Sequence, residues 1–250
     1  MSSAAGPLTA IVLVGGLGTR LGALTGDLPK PMVEVGGRPF LEHVVRHLAA
    51  CGVERAILAS GHRADAVEAH FGDGRGYGLR IEHSREPEPL GTGGALRLAA
   101  ARLPPSAAFL ALNGDSVLAI DPVPLLAELD GADGALALRE VPDAGRYGSV
   151  ELAPDGRISA FREKATGPAR PGLINAGVYA LRRSVLDDLP VDVPSSLERD
   201  VLPRLALSGR LRGRPYDAYF VDIGIPETLL ALRADPSELL AALGGPKTSC

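Results

Sequence analysis

A chain of 250 residues, 46% hydrophobic and 22% charged, is long and apolar enough for one large α/β domain with a sizeable core. It has no Trp and only 5 Phe and 5 Tyr, so Leu, Val, Ile and Ala build that core, and an aromatic stacking platform for single-stranded nucleic acid is excluded. The net charge of −4, without a basic stripe, argues against binding along DNA or RNA, although local positive groups can still hold one small polyanion.

Residues 10–14 are a continuous apolar run and read as a buried strand. The loop that follows is Gly15-Gly16-Leu17-Gly18-Thr19-Arg20-Leu21. Its glycines leave backbone N–H groups uncovered, so it can wrap a phosphate chain. No Gly-Lys pair completes a Walker A loop, and the glycine spacing misses the dinucleotide fingerprint by about one residue. In Leu28-Pro29-Lys30-Pro31-Met32 two prolines stiffen the backbone around one lysine. Arg20 offers a bidentate fork and Lys30 a point charge, a suitable pair for a triphosphate.

Next, residues 39–51 pattern as a helix with Phe40, Val44, Leu48 and Cys51 on one face. His43 and His47 are expected on its solvated face, since no third zinc ligand accompanies them. His62, His70 and His83 form no cluster, and Ser60 and Ser116 lack a partnered histidine for acyl transfer. Strands are expected at 53–60, 79–83 and 107–112, with helices at 64–71 and 93–102 between them. This alternation is the signature of a parallel sheet covered by helices. Further on, 148–152 and 157–161 flank a turn signal and read as an antiparallel hairpin. Residues 172–181 form another strand, 196–207 a helix capped by Ser195 or Ser196, and 226–234 and 236–243 terminal helices. Ligands of open α/β sheets sit outside the carboxyl ends of the strands, so the loops after Val14, Leu112 and Val221 are the functional ones. Asp115 and Asp222 each follow such a strand. Facing a polyphosphate, two carboxylates suggest a Mg²⁺ site.

The Gly-Gly-x-Gly-Thr-Arg-Leu loop followed by Pro29-Lys30-Pro31 resembles the signature of the sugar-phosphate nucleotidylyltransferases, and the likeness runs from about Thr9 to Leu230. It implies a Rossmann-like three-layer α/β/α fold with a mixed, mainly parallel central sheet. It implies an enzyme that condenses a nucleoside triphosphate with a sugar 1-phosphate and releases pyrophosphate. Arg20, Lys30 and Asp115 would be catalytic, with Mg²⁺ on Asp115 and Asp222. Val14, Gly15, Gly16, Gly18 and Thr19 would hold the nucleotide, as would Glu86, Pro89, Gly91 and Thr92 in a loop around the base. A carboxylate at Glu86, with Glu88 as rival, can accept both N1–H and N2–H₂ of guanine, which favours GTP. Asn113, Tyr147, Gly148, Glu163, Lys164 and Asn175 match the sugar-phosphate side. The order of motifs is most similar to the short D-glycero-D-manno-heptose 1-phosphate guanylyltransferases, with mannose-1-phosphate guanylyltransferases as the near alternative. Another alternative is a non-catalytic regulatory subunit that binds nucleotide sugars.

One domain is therefore expected, with a nucleotide half at 9–115, a sugar-phosphate half at 116–234 and a disordered tail at 244–250. Its partners would be small molecules, with neither nucleic acid nor membrane, and homo-oligomerisation stays open. Two cysteines, Cys51 and Cys250, suit a reducing cytoplasm, with no apolar run of membrane-spanning length and no signal peptide expected.

Overall fold

The computed structural model describes residues 6–15, 28–147, 149–162 and 170–244. The first half contains β1 (Thr9–Leu13), β2 (Glu34–Val35), β3 (Arg38–Pro39), α1 (Phe40–Ala50), β4 (Arg55–Ser60) and α2 (Ala64–Phe71). It continues with β5 (Arg80–Arg85), α3 (Gly91–Ala100), β6 (Ala108–Asn113) and β7 (Ser116–Leu118). Then come β8 (Gly134–Val141), β9 (Ser149–Leu152), β10 (Ile158–Arg162) and β11 (Gly172–Arg182). The chain closes with α4 (Leu202–Leu207), β12 (Leu211–Pro215), β13 (Phe220–Asp222), α5 (Pro226–Ala234) and α6 (Ser237–Gly244).

Nine strands form the main sheet. β6, β1, β4 and β5 lie side by side in parallel, as the alternating strand and helix patterns require. β11 then enters antiparallel to β6 and carries β8 and the β9–β10 hairpin, so the second half extends the same sheet. After β5 the chain crosses back over β1 to reach β6. That reversal opens a crevice outside the carboxyl ends of β1 and β6, the usual ligand position in such sheets.

Alternation along β1 decides the layers. Ala10 and Val12 face a core with α1, α5 and α6, while Ile11 and Leu13 face one with α3 and α4. All five residues of β1 are buried, which explains its uninterrupted apolar reading.

Three expectations need correction. First, β7, β8 and β12 were not expected as strands. The Gly-Ala-rich start of β8 carries little β-propensity, and only pairing with β11 and β12 fixes it. Second, the expected helix at 196–207 begins as a π-helical turn at Leu197–Val201 and becomes α-helical only from Leu202. Third, His43 and His47 are not solvated. Both are buried, with Nε2 against the carbonyls of Val35 at 2.9 Å and Ile120 at 2.7 Å. A buried imidazole satisfied by a backbone carbonyl can occupy an inward helix face as an apolar residue would. Cys51 is half-buried, with its sulfur beside His47 Nε2 and the Ile120 carbonyl.

Candidate active site

Two loops bring the strand-end groups together. Gly114 tucks its N–H onto the Leu13 carbonyl at 2.8 Å, where any Cβ would stand 2.7 Å from that oxygen. This close approach of β1 and β6 sets Asp115 at the mouth of the crevice. β7 turns away and pairs antiparallel with β13, with Ser116 opposite Asp222, and Ile223 donates to the Asp115 carbonyl at 3.0 Å. Asp115 and Asp222, more than a hundred residues apart in sequence, are therefore neighbours in space.

Lys30 completes the group. It starts a short 3-10 turn between Pro29 and Pro31, and its ammonium donates to Asp115 Oδ2 at 2.6 Å. Asp222 Oδ1 accepts the Gly224 N–H at 2.6 Å. A Cβ on Gly224 would stand 2.6 Å from Lys30 Nζ and 2.8 Å from Asp222 Oδ1, so the ammonium and both carboxylates meet around residue 224. The donor set of two carboxylates fits a hard divalent cation that fills its shell with phosphate oxygens and water. Among the described residues no group of three or more His, Cys, Asp or Glu could hold a metal.

Two cavities share the Thr92 wall, and the second is lined by Asp115 and Asp222. One, of about 580 Å³, lies between Gly15, Gly61 and the loop Glu86–Thr92. The other, of about 510 Å³, is lined by Asn113, Asp115, Tyr147, Asn175 and Asp222, among others. Thr92 borders both. Val14 and Gly15 leave β1 with their N–H groups on the Ala59 carbonyl, at 2.8 and 3.1 Å. Pro89 and Gly91 line the first cavity as expected, and Glu88 is exposed at its edge.

Glu86 lines the first cavity and also braces its own loop. Its carboxylate is buried, and Oε2 accepts the Leu90 N–H at 2.8 Å, which closes the loop ahead of α3. Burial pushes its carboxyl above the usual range, against the pull of that N–H. Oε1 faces the glycines, 2.8 Å from where a Gly15 Cβ would stand. One oxygen, not both, is thus free of the loop.

In the second cavity Asn175 is held at both ends of its amide. Nδ2 donates to the Tyr179 hydroxyl at 2.8 Å, and Oδ1 accepts the Gly177 N–H at 3.0 Å. Tyr179 is fully buried. Burial, and then the nearby Glu198 charge, hold its phenol well above the ordinary value, so it stays a neutral hydrogen-bonding group. Tyr147 packs edge-on against Phe220, with centroids 5.7 Å apart. Glu198, to which the sequence assigns no role of its own, lines this cavity. Gly16, Gly18, Thr19, Arg20, Gly148, Glu163 and Lys164 lie outside the described residues.

The family model described as "Nucleotidyl transferase" matches residues 9–237, nearly the whole chain. The chain belongs to the nucleotidyl transferase family. This nucleotidyl transferase is 37% identical over 222 residues to the D-glycero-alpha-D-manno-heptose 1-phosphate guanylyltransferase of Aneurinibacillus thermoaerophilus, covering 88% of this chain and 94% of that one. It is 40% identical over 230 residues to the mannose-1-phosphate guanylyltransferase of Mycobacterium tuberculosis, covering 90% of this chain but only 64% of that longer relative. HddC from Yersinia pseudotuberculosis, solved in complex with GMP-PN, superposes with a TM-score of 0.80 at 34% identity, over 92% of this chain and 100% of that one. No helix of the nucleotidyl transferase, among its described residues, is long and apolar enough to cross a membrane.

Proposed function

We propose that this enzyme joins GTP to a manno-configured sugar 1-phosphate, D-glycero-α-D-manno-heptose 1-phosphate in the first place, with release of pyrophosphate. One observation carries the reading: Lys30, Asp115 and Asp222 converge, and the two carboxylates line a cavity that shares Thr92 with a second one, each large enough for part of a substrate. The names of the heptose and mannose relatives share guanylyl transfer and the manno ring. Mannose 1-phosphate is therefore the second reading, favoured by the 40% identity.

The chemistry is charge management. A phosphate monoester has its second pKa at about 6, so the sugar phosphate is already close to a dianion at neutral pH and needs no general base to attack the α-phosphate. Two unit charges about 4 Å apart repel by roughly 4 kcal/mol at an effective dielectric of about 20. Lys30 is positioned to offset this at the phosphate chain, with Arg20 and Lys164 as the further cations the family pattern assigns. Asp115 and Asp222 would hold Mg²⁺, which when bound neutralises phosphate charge. On the nucleotide side, the base fits the cavity between Gly15 and the Glu86–Gly91 loop, with Glu86 Oε1 and the Glu88 carboxylate as acceptors for the guanine edge. With two cysteines in 250 residues, the cytoplasm suits the enzyme.

A regulatory subunit without activity would have no need for Lys30 and both aspartates to be assembled. The test is pyrophosphate release, with Mg²⁺, across four nucleoside triphosphates and a panel of sugar 1-phosphates. Turnover confined to GTP with heptose or mannose 1-phosphate is expected. No turnover with any pair refutes the reading, and a preference for another nucleotide refutes the guanine assignment.

A further inference from the structure

We propose that Glu198 is a specificity-determining residue, whose free carboxylate oxygen accepts a hydrogen bond from a hydroxyl of the bound sugar. This rests on the second cavity being the sugar-phosphate site, as read above.

The argument starts from hydrogen counting. A hydroxyl has one hydrogen to give. Thr92 Oγ1 accepts the Leu197 N–H at 2.8 Å, and Ser196 Oγ accepts the Arg199 N–H at 3.2 Å. Each then directs its single hydrogen at Glu198 Oε2, at 2.7 and 3.0 Å. Two donated hydrogens on one oxygen fix the orientation of the carboxylate. Among the described residues the other oxygen, Oε1, accepts nothing, while the residue lines the cavity of about 510 Å³. An acceptor held in place with one oxygen unused is the arrangement that reads a hydroxyl donor, because a group without a hydrogen to give leaves it unpaired.

The backbone gives independent support. Glu198 lies in the π-helical turn Leu197–Val201, a rare irregularity that interrupts helices mainly at functional sites. Thr92 gives Glu198 a further role. It borders both cavities and spends its hydrogen on Glu198, so the wall of the nucleotide cavity and the reader of the sugar share one hydrogen-bond chain. The charge at this place selects for neutral hydroxyl-bearing sugars and against those that present a carboxylate or a bare carbonyl there, since either would face an anion without a hydrogen between them.

The experiment uses the full chain and the Glu198→Gln variant, with GTP, Mg²⁺ and the sugar 1-phosphate together with its monodeoxy analogues. Glu198→Gln should raise KM for the sugar phosphate about ten- to a hundredfold, the weight of one hydrogen bond to a charged acceptor. KM for GTP and Tm should stay within about twofold and about 2 °C of the parent, because the isosteric amide keeps an oxygen that accepts from Thr92 and Ser196. One monodeoxy analogue should lose about tenfold or more in kcat/KM with the parent and nothing further with the variant, a cycle that a merely structural role would not close. An unchanged sugar KM, or the same deoxy penalty in both proteins at every position, overturns the proposal. So does a parallel rise in GTP KM with a lowered Tm, which would make Glu198 a brace between Thr92 and Ser196. Calorimetric binding of the sugar 1-phosphate separates the two readings. Binding by the parent that the variant loses, without turnover, sinks the reaction but upholds Glu198, and no binding by the parent sinks both.

Discussion

Lys30 is held as the counter-ion of Asp115. Its ammonium rests on Asp115, and the flanking prolines limit where else it can go. Lys30→Ala should therefore lower kcat by about 10²–10³, the cost of removing one preorganised donor from a reacting phosphate, while KM for GTP moves only a few-fold. Steady-state kinetics at saturating substrates check this, and an unchanged kcat would remove Lys30 from the chemistry. Gly224 offers a second test without touching a charged group. Its φ is not positive, so alanine is not strained there, yet the new Cβ would crowd Lys30 Nζ and Asp222 Oδ1. Both are side-chain ends that can move. Gly224→Ala should keep its Tm and lose at least about tenfold in kcat/KM, and full activity would show that this convergence is not needed. These residues were legible in the sequence because prolines frame the lysine and a strand precedes each aspartate. Glu198 was not. In Ser196-Leu197-Glu198-Arg199-Asp200 an acidic residue reads as a complement to a helix N-terminus, and only the π-helical turn and the cavity show what it faces. The Glu86 carboxyl was legible as part of the base loop, but which of its oxygens the Leu90 N–H occupies depends on a fold-back over four residues.

Among the elements, α3 is the one that joins the two cavities, and it does so through backbone as well as through the Thr92 hydroxyl. Ser195 accepts the Gly93 N–H at 2.8 Å and gives its own N–H to Leu90, also at 2.8 Å. Gly91 lies between these contacts with φ +70°, where a Cβ would stand 2.6 Å from the Ser195 carbonyl oxygen. Here, unlike at Gly224, the obstacle is backbone and the conformation is left-handed, so nothing nearby can give way cheaply. Gly91→Ala should cost about 1–3 kcal/mol, a drop of several degrees in Tm, and raise KM for both substrates because the start of α3 and the Ser195–Glu198 segment separate together. A melt coinciding with that of the parent would show that the strand of loop at Ser195 yields freely. The elements legible beforehand were those whose own residues carry the pattern: the apolar β1, the amphipathic α1 and α2, and the hairpin β9–β10 around its turn. β8 and β12 were hidden because Gly, Ala and Arg do not announce a strand. The pairing of β8 with β11, and of β12 with β8, creates it.

For the whole molecule, the first and second halves of the chain share one sheet through the pairing of β11 with β6, and α1 adds a second tie on the opposite face. His43 anchors α1 to the β2–β3 hairpin through Val35, and His47 anchors it to the segment after β7 through Ile120. Stability then depends on these imidazoles staying in the core, and for His43 the sign of the pH dependence can be worked out. Burial is the main cause that lowers its affinity for a proton. The Val35 carbonyl and Glu42 pull the other way, while Arg38 and Arg46 add to the lowering. Its folded pKa thus lies below the ordinary 6.5. Between the two values the unfolded chain binds the extra proton and the folded one does not. The contribution of His43 to stability is therefore complete above 6.5 and is lost as pH falls below it, at no more than about 1.4 kcal/mol per pH unit for one proton. Glu42 also titrates in this helix, but its carboxyl is held below the usual range, so its own loss begins at a lower pH. Urea midpoints measured at about pH 7.5 and about pH 5.5 should fall between the two for the parent. They should fall less for His43→Gln, which keeps an N–H for Val35 and has nothing to titrate. If the two proteins lose stability in parallel over that interval, the acid sensitivity arises elsewhere and α1 is not held by a neutral His43.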